Sequence, residues 1–402
     1  MGLVREQYLK KITHFLGNKL IKVLIGQRRV GKSYLLRQLI FNLIEKKINR
    51  KNIFYLNTEI TDFDFITDYT DLQNLITLYK ENIKPEGKIY LFIDEIQTIK
   101  SWEKLINSYS QDYTEEYEIF ISGSNSELLS GELATLLSGR YIQFTIYPFS
   151  YLEFVEIEKT ENSKKTFLRY LNSGGLPELF KLPNDETKRH YIQAIKDTIL
   201  LRDIIQRYNI KDAKLLEDIF IFLINNASNI ISINNIVNYF GSKKRKTNYE
   251  TVANYIQYLK STFLIYQVEK FNIKGKEILS GTSKYYINDL CFKNYLYPGY
   301  AYGVGYMLEN IVFLQLLSAG YHVYIGYLRN KEIDFVAIKN DRTIYIQVAY
   351  ILAEPETIER EYSGLRAILD NFEKYIVSLD EIQLPNVEGI KHILAWQLNN
   401  YI

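Results

Sequence analysis

The run Gly26-Gln27-Arg28-Arg29-Val30-Gly31-Lys32-Ser33 decides how this chain is read. It fits the phosphate-binding pattern G-x-x-x-x-G-K-[ST]. Upstream, Ile21-Lys22-Val23-Leu24-Ile25 is mostly apolar and β-branched and reads as a buried strand. Downstream, Tyr34 to about Lys47 reads as a helix with Leu35, Leu36, Leu39, Ile40 and Leu43 on one stripe. The loop thus lies between a strand and a helix, the setting its chemistry needs. Its two glycines let the backbone close round a phosphate with successive N–H groups turned inward, so the whole run Gly26–Ser33 is expected to bind the cofactor. Lys32 can reach the outer phosphates, the Ser33 hydroxyl can ligate magnesium, and the helix adds the positive end of its dipole.

A second motif supports the first. Ile89-Tyr90-Leu91-Phe92-Ile93-Asp94-Glu95 is an apolar strand ending in two acids. Asp94 is expected to hold magnesium through water, and Glu95 to act as general base on the attacking water.

The chain has 402 residues, enough for two or three domains. Its 49 basic and 47 acidic residues leave a formal charge of +2, so any contact with nucleic acid must be local. The single cysteine, Cys291, excludes an intramolecular disulfide and points to a reducing compartment. No signal core, myristoylation pattern or membrane-length apolar run occurs, and a cytoplasmic location with no membrane contact is expected.

Residues 1–155 alternate strand and helix, with strands at 21–25, 52–56, 89–93, 118–122 and 141–145. That pattern predicts an α/β core with a mostly parallel sheet. Residues 156–211 read as a helical lid, broken at Ser173-Gly174-Gly175-Leu176-Pro177. Residues 212–272 read as helix, helix, helix and strand, which suggests a winged helix-turn-helix. Residues 284–402 read as a second α/β unit: a long helix at about Gly305–Ser318, strands at 322–327, 332–338 and 343–350, a helix over Glu354–Asp370, then two more strands.

With these motifs in place, the chain resembles prokaryotic AAA-type P-loop ATPases fused to a C-terminal domain of unknown function. The likeness runs over nearly the whole chain. Besides the two phosphate motifs it is carried by Ser122–Leu129, Leu137-Ser138-Gly139-Arg140, Tyr147-Pro148-Phe149-Ser150 and Gly174-Gly175-Leu176-Pro177-Glu178. It implies ATP and Mg2+ as cofactors and ATP hydrolysis as the activity. It gives Ser124 and Asn125 the place of the polar residue that senses the γ-phosphate. It also marks Arg140, and less strongly Arg202, as the guanidinium that meets transition-state charge, in cis or across an interface. The Gly174–Glu178 turn either lies over the nucleotide or only breaks a helix.

The C-terminal unit resembles the restriction-endonuclease-like fold, whose active site reads Glu, Asp, then Glu-x-Lys. Glu309 and Asp334 match, but Gln347 stands where the acid belongs and Ala349 where the lysine belongs. An amide is a poor magnesium ligand and alanine cannot assist water, so a nuclease-like scaffold without cleavage activity is expected. Ser242-Lys243-Lys244-Arg245-Lys246-Thr247 precedes the last helix of the winged segment. Basic residues there would sit against phosphates, although four charges in a loop also make an ordinary solvated turn. Three outputs stay open: double-stranded DNA held through 243–247, a protein partner, or a second copy of the chain. A nucleotide-gated DNA switch with little turnover and a nuclease of a defence or repair system are the competing functions.

Overall fold

The computed structural model describes residues 2–129, 137, 139–298, 303–329 and 331–402. Ser138 of the Leu137–Arg140 motif lies outside the described residues. The chain divides into two compact units, Met1–Tyr147 with Ser261–Phe263, and Pro148–Lys260 with Leu264–Ile402.

The first unit is built on a five-stranded sheet in the order β2-β3-β4-β1-β5. The strands are β1 (Ile21–Ile25), β2 (Ile53–Asn57), β3 (Ile89–Asp94), β4 (Tyr117–Gly123) and β5 (Tyr141–Thr145). Every pairing is parallel. Buried parallel strands read as continuous apolar runs, which is why these were legible. Helices α1 (Glu6–Thr13), α2 (Lys32–Glu45), α3 (Tyr69–Ile83) and α4 (Trp102–Ser110) complete the unit. Helix α2 starts at Lys32 rather than Tyr34, because Gly31 adopts the left-handed conformation (φ 97°) that turns the loop into the helix. Lys22, in the middle of β1, is fully buried and ion-paired with buried Glu118 on β4. Glu118 also accepts the Gly17 N–H at 3.0 Å.

In the second unit, helix α5 (Tyr151–Glu158) opens on a capping box between Ser150 and Glu153, and α6 (Lys164–Ser173) follows. The break after α6 has a packing cause. The Gly175 carbonyl accepts a 2.7 Å hydrogen bond from the Phe149 N–H, and a Cβ at Gly175 would lie 2.2 Å from the Phe149 carbonyl oxygen. Gly174 (φ 76°) faces Asp289 just as closely. The Asp289 carboxylate accepts the N–H groups of Gly175 (2.8 Å) and Cys291 (2.9 Å), and burial pushes its carboxyl up to about 6. Helix α7 (Asp185–Thr198) continues into a π-helical stretch, Ile199–Ile205, that contains Arg202.

Next come α8 (Ala213–Asn225), β6 (Ile230–Ile231), α9 (Ile233–Ser242), α10 (Tyr249–Ser261), β7 (Ile265–Asn272) and β8 (Glu277–Ile287). They lead into α11 (Cys291–Leu296), α12 (Val304–Ser318), β9 (His322–Leu328), β10 (Lys331–Lys339), β11 (Arg342–Ala349), α13 (Pro355–Arg366), β12 (Glu373–Ser378) and β13 (Ile390–Leu394). The sheet is continuous across residues 272–284. Strand β8 runs across residue 284, and β7 pairs in parallel with β9, so one eight-stranded sheet, β13-β12-β11-β10-β9-β7-β8-β6, spans the segments on both sides. Its edge-to-edge hydrogen bonding is long-range and leaves no trace in local sequence pattern.

Gly175→Ala is expected to destabilise the second unit by ~3 kcal/mol or more, since the backbone oxygen it meets cannot rotate away. Denaturant titration of the full chain checks this; an unchanged unfolding midpoint would contradict the close approach.

Candidate functional site

Strands β1, β3 and β4 end at the same edge of the parallel sheet, and the residues of both motifs meet there. The Lys32 ammonium lies folded back on its own loop, donating to the carbonyls of Gly26 (3.0 Å) and Gln27 (3.1 Å), with Glu95 at 3.4 Å. Gly26 (φ 152°) lets the loop pass the end of β5, where a Cβ would come within 2.2 Å of the Ile146 carbonyl oxygen. Arg29 is left-handed (φ 70°), and Val30 is buried with its carbonyl accepting from Arg5. Arg28 points to Glu59 at 2.5 Å. Gln27 is fully buried.

Asp94 is fully buried and bonded to the hydroxyls of Ser122 and Ser33, with the Tyr55 phenol at 3.3 Å. Burial pushes its carboxyl above the usual range, and the two serine hydrogen bonds only partly offset this. Glu95 takes a left-handed conformation (φ 56°), uncommon for a residue with a long side chain. Burial alone would push its carboxyl up, but the Lys32 charge, with Gln97, Arg28 and Ser124, holds it below its usual value. Gln97 Nε2 donates to Glu95 at 2.5 Å and to Ser124 at 3.3 Å. Ser124 and Asn125 are buried just past the end of β4, and the Ser124 side chain bonds the Glu95 carboxylate.

The site thus gathers Gly26–Ser33, Asp94, Glu95, Ser124 and Asn125. Arg140 lies apart from this group. It immediately precedes β5, where Ile21 pairs with Tyr141, while the phosphate loop follows the other end of β1. Four strand steps separate these edges, roughly 13 Å, and the Arg140 guanidinium donates instead to Asn107 at 3.3 Å. It cannot serve this chain's own loop in this arrangement. Sequence reasoning missed Ser122, Gln97 and Tyr55. Ser122, a polar residue in an apolar strand, carried a signal; the other two carried none.

In the second unit, Glu309 on α12 and Asp334 on β10 are buried and drawn together by Lys284 on β8. The Lys284 ammonium lies 2.8 Å from Glu309, 2.7 Å from Glu332 and 3.4 Å from Asp334. Gln347 donates to Glu361 at 2.9 Å, and Ala349 is buried. A Ser378–Asp380–His392 group has the composition of a hydrolase triad but the wrong wiring. The Leu384 N–H donates to His392 Nδ1, so Nε2 faces Ser378 as a donor, and the serine hydroxyl turns to Asp380. No base is left to activate that serine.

In the basic loop, Arg245 is committed to Asp212 (2.9 Å) and Asp218, whereas Lys243, Lys244 and Lys246 are exposed. Among the described residues, no helix is long and apolar enough to cross a membrane.

The first unit is therefore a P-loop α/β core, and the comparisons with known proteins agree. Residues 18–155 match the AAA domain family, and residues 164–299 match a domain of unknown function (DUF8612). The chain is 35% identical over 400 residues to an uncharacterized protein of Haemophilus influenzae, covering 98% of each chain. It is 32% identical over 394 residues to an uncharacterized protein of Methanocaldococcus jannaschii, covering 93% of this chain and 84% of that one. The chain belongs to the family of these relatives, a family carrying an AAA domain. Among solved structures, the Aeropyrum pernix ORC1 protein in complex with DNA is similar with a TM-score of 0.35 and 11% identity, covering 74% of this chain and 94% of that one.

Lys32→Ala is expected to abolish nucleotide binding and also to lower the stability of the nucleotide-free first unit by ~3 kcal/mol, because it strands a buried carboxylate. The pair's contribution is full at neutral pH and is lost as pH falls past the ordinary glutamate range and through the depressed Glu95 value. Adding Glu95→Gln to Lys32→Ala should recover part of the loss. Denaturation of the two single variants and the double variant gives the coupling, and strict additivity would show that the pair is not formed.

Proposed function

We propose that this protein is a magnesium-dependent ATPase of the AAA type that couples its nucleotide state to residues 148–402. The observation that carries the reading is the group Lys32–Glu95–Asp94–Ser33 at the end of the parallel sheet. The Lys32 ammonium rests on loop carbonyls that a phosphate would replace, at 3.0 and 3.1 Å. Ser33 and Asp94, already in contact through their side chains, are suited to hold magnesium, one directly and one through water. Magnesium, when bound, neutralises charge on the phosphate oxygens. Glu95 takes the proton of the attacking water, with its carboxylate kept ionised by Lys32. Gln97 and Ser124 hold that carboxylate, and Asn125 stands beside them where the γ-phosphate is sensed. Exchange of Lys32 from the carbonyls to phosphate frees Glu95 from its counter-ion, so the base gains strength only when substrate is present. Arg140, on the opposite sheet edge, is left a role only toward a neighbouring copy.

Steady-state ATP hydrolysis with Mg2+ tests this. Glu95→Gln is expected to lower kcat by ~10²–10⁴-fold while ATP binding persists. Equal turnover in the variant would remove Glu95 from the mechanism. Turnover absent from the wild type, with ATP still bound, would favour a nucleotide-gated switch.

A second reading, DNA binding by a winged helix-turn-helix over 212–272, is supported by the helix order and by three exposed lysines beside the exposed Tyr249 at the start of α10. Arg245 shapes the loop through its two aspartates. Replacing Lys243, Lys244 and Lys246 by alanine is expected to weaken double-stranded DNA binding and reduce the log–log salt slope by up to ~2.7. An unchanged slope would remove the loop from the contact. For residues 284–402 the reading is a restriction-endonuclease-like scaffold that does not cut, supported by Gln347 and Ala349.

A further inference from the structure

A nuclease of that fold holds a divalent ion between acids on a helix and a strand. The residues present here do not fit one. Asp334 has both carboxylate oxygens occupied, Oδ1 by the Lys284 ammonium and Oδ2 by the Val348 N–H at 2.8 Å. Glu309 Oε1 accepts from both Lys284 (2.8 Å) and the Tyr286 hydroxyl (2.6 Å). Glu361 gives one oxygen to Gln347 and the other to Arg360 at 2.7 Å. Among the described residues, no group of His, Cys, Asp or Glu side chains is arranged to hold a metal ion.

We propose that Lys284 is the resident cation of this centre, its ammonium standing in for the divalent ion and cross-tying β8 to α12 and β10. The inference rests on the nuclease-like reading of residues 284–402. A carboxylate cluster at the heart of a sheet must be neutralised or it drives its elements apart. A divalent ion and an ammonium both meet that need, but only the ion can polarise a phosphodiester or supply hydroxide. The ammonium is only 4% exposed, so it does not exchange freely with ions in solution. Burial alone would lower its pKa, but Asp334, Glu309 and Glu332 outweigh this and hold it above the usual lysine value, so it stays charged. Burial and the Asp334 charge push the Glu309 carboxyl up to about 7, which further reduces the charge left for a second cation. Lys284 lies on β8, which pairs with β7, so the same cross-tie joins that strand pair to α12 and β10.

The test uses the nucleotide-free full chain and Mn2+, with bound ion counted from the electron paramagnetic resonance of free Mn2+. Wild type and Asp334→Asn are expected to bind the same amount. Lys284→Met is expected to gain one Mn2+ site, which Lys284→Met/Asp334→Asn loses. A folded Lys284→Met that gains no site overturns the inference and leaves the nuclease-like reading standing. Wild-type Mn2+ binding that Asp334→Asn abolishes also overturns it; if magnesium-dependent DNA cutting accompanies that binding, the non-cleaving reading falls too. Should Lys284→Met not fold, the wild-type melting midpoint decides. It is expected to be unmoved by EDTA or by saturating Mn2+, and an increase of several degrees with Mn2+ that Asp334→Asn removes would overturn the proposal.

Discussion

The first unit depends on burying two adjacent carboxylates at the end of a parallel strand. Asp94 and Glu95 are 0% and 5% exposed, a placement that would be untenable for free charges. Each is made tolerable differently. Asp94 is held by hydroxyls, which solvate it without fully neutralising it, and its pKa rises. Glu95 is held by a lysine, and its pKa falls. Neighbouring acids are thereby driven in opposite directions by their surroundings, the usual mark of groups with different tasks. The parallel sheet makes this possible because every strand delivers its last residues to one edge. Ser122, Gly26 and Asp94 meet there without being near in sequence.

Lysine serves as an internal cation in both units, and the comparison separates structural from working uses. Lys22 is fully buried against Glu118, which also binds a backbone N–H, so nothing in its setting can exchange. Lys284 is likewise held by carboxylates on two other elements. Lys32 is different. Its nearest partners are loop carbonyls, weak acceptors compared with phosphate, and its one carboxylate lies at 3.4 Å. A lysine that must move is given neutral partners and one distant charge, whereas a lysine that must stay is given close charges.

How far the sequence could be read follows from the same distinction between local and non-local causes. The strand–loop–helix around Gly26–Ser33 and the acids of β3 were legible because each is fixed within a few residues by glycine conformation, strand apolarity or helix period. The role of the Gly174–Pro177 break was only half legible: its glycines announced a turn, but the cause is the close approach of Phe149 and Asp289. The position of Arg140 was not legible because a linear motif does not state which end of a strand it occupies. The continuity of the sheet across 272–284 was hidden for a related reason, since pairing of β7 with β9 is settled by contacts made far along the chain. Lys284 did leave a trace, a lone lysine in the apolar run Lys284-Tyr285-Tyr286-Ile287, but its partners on α12 and β10 could not be inferred.

The chemistry of Gln347 and Ala349 and that of Lys284 bear on one another. Gln347 and Ala349 on β11 offer neither a metal-binding acid nor a lysine, while Glu309, Asp334 and Glu332 converge on one point and repel one another. A scaffold that keeps the acids must keep a cation. The ammonium of Lys284 supplies it from a strand outside the β9–β11 meander, and the Gln347 amide turns to Glu361 to satisfy a further buried carboxylate. These acids are then accounted for by neutralisation and cross-strand attachment. Where catalysis has no claim on a charged cluster, close and fully occupied hydrogen bonding is the stable arrangement, and it is the opposite of the loosely held lysine in the phosphate loop.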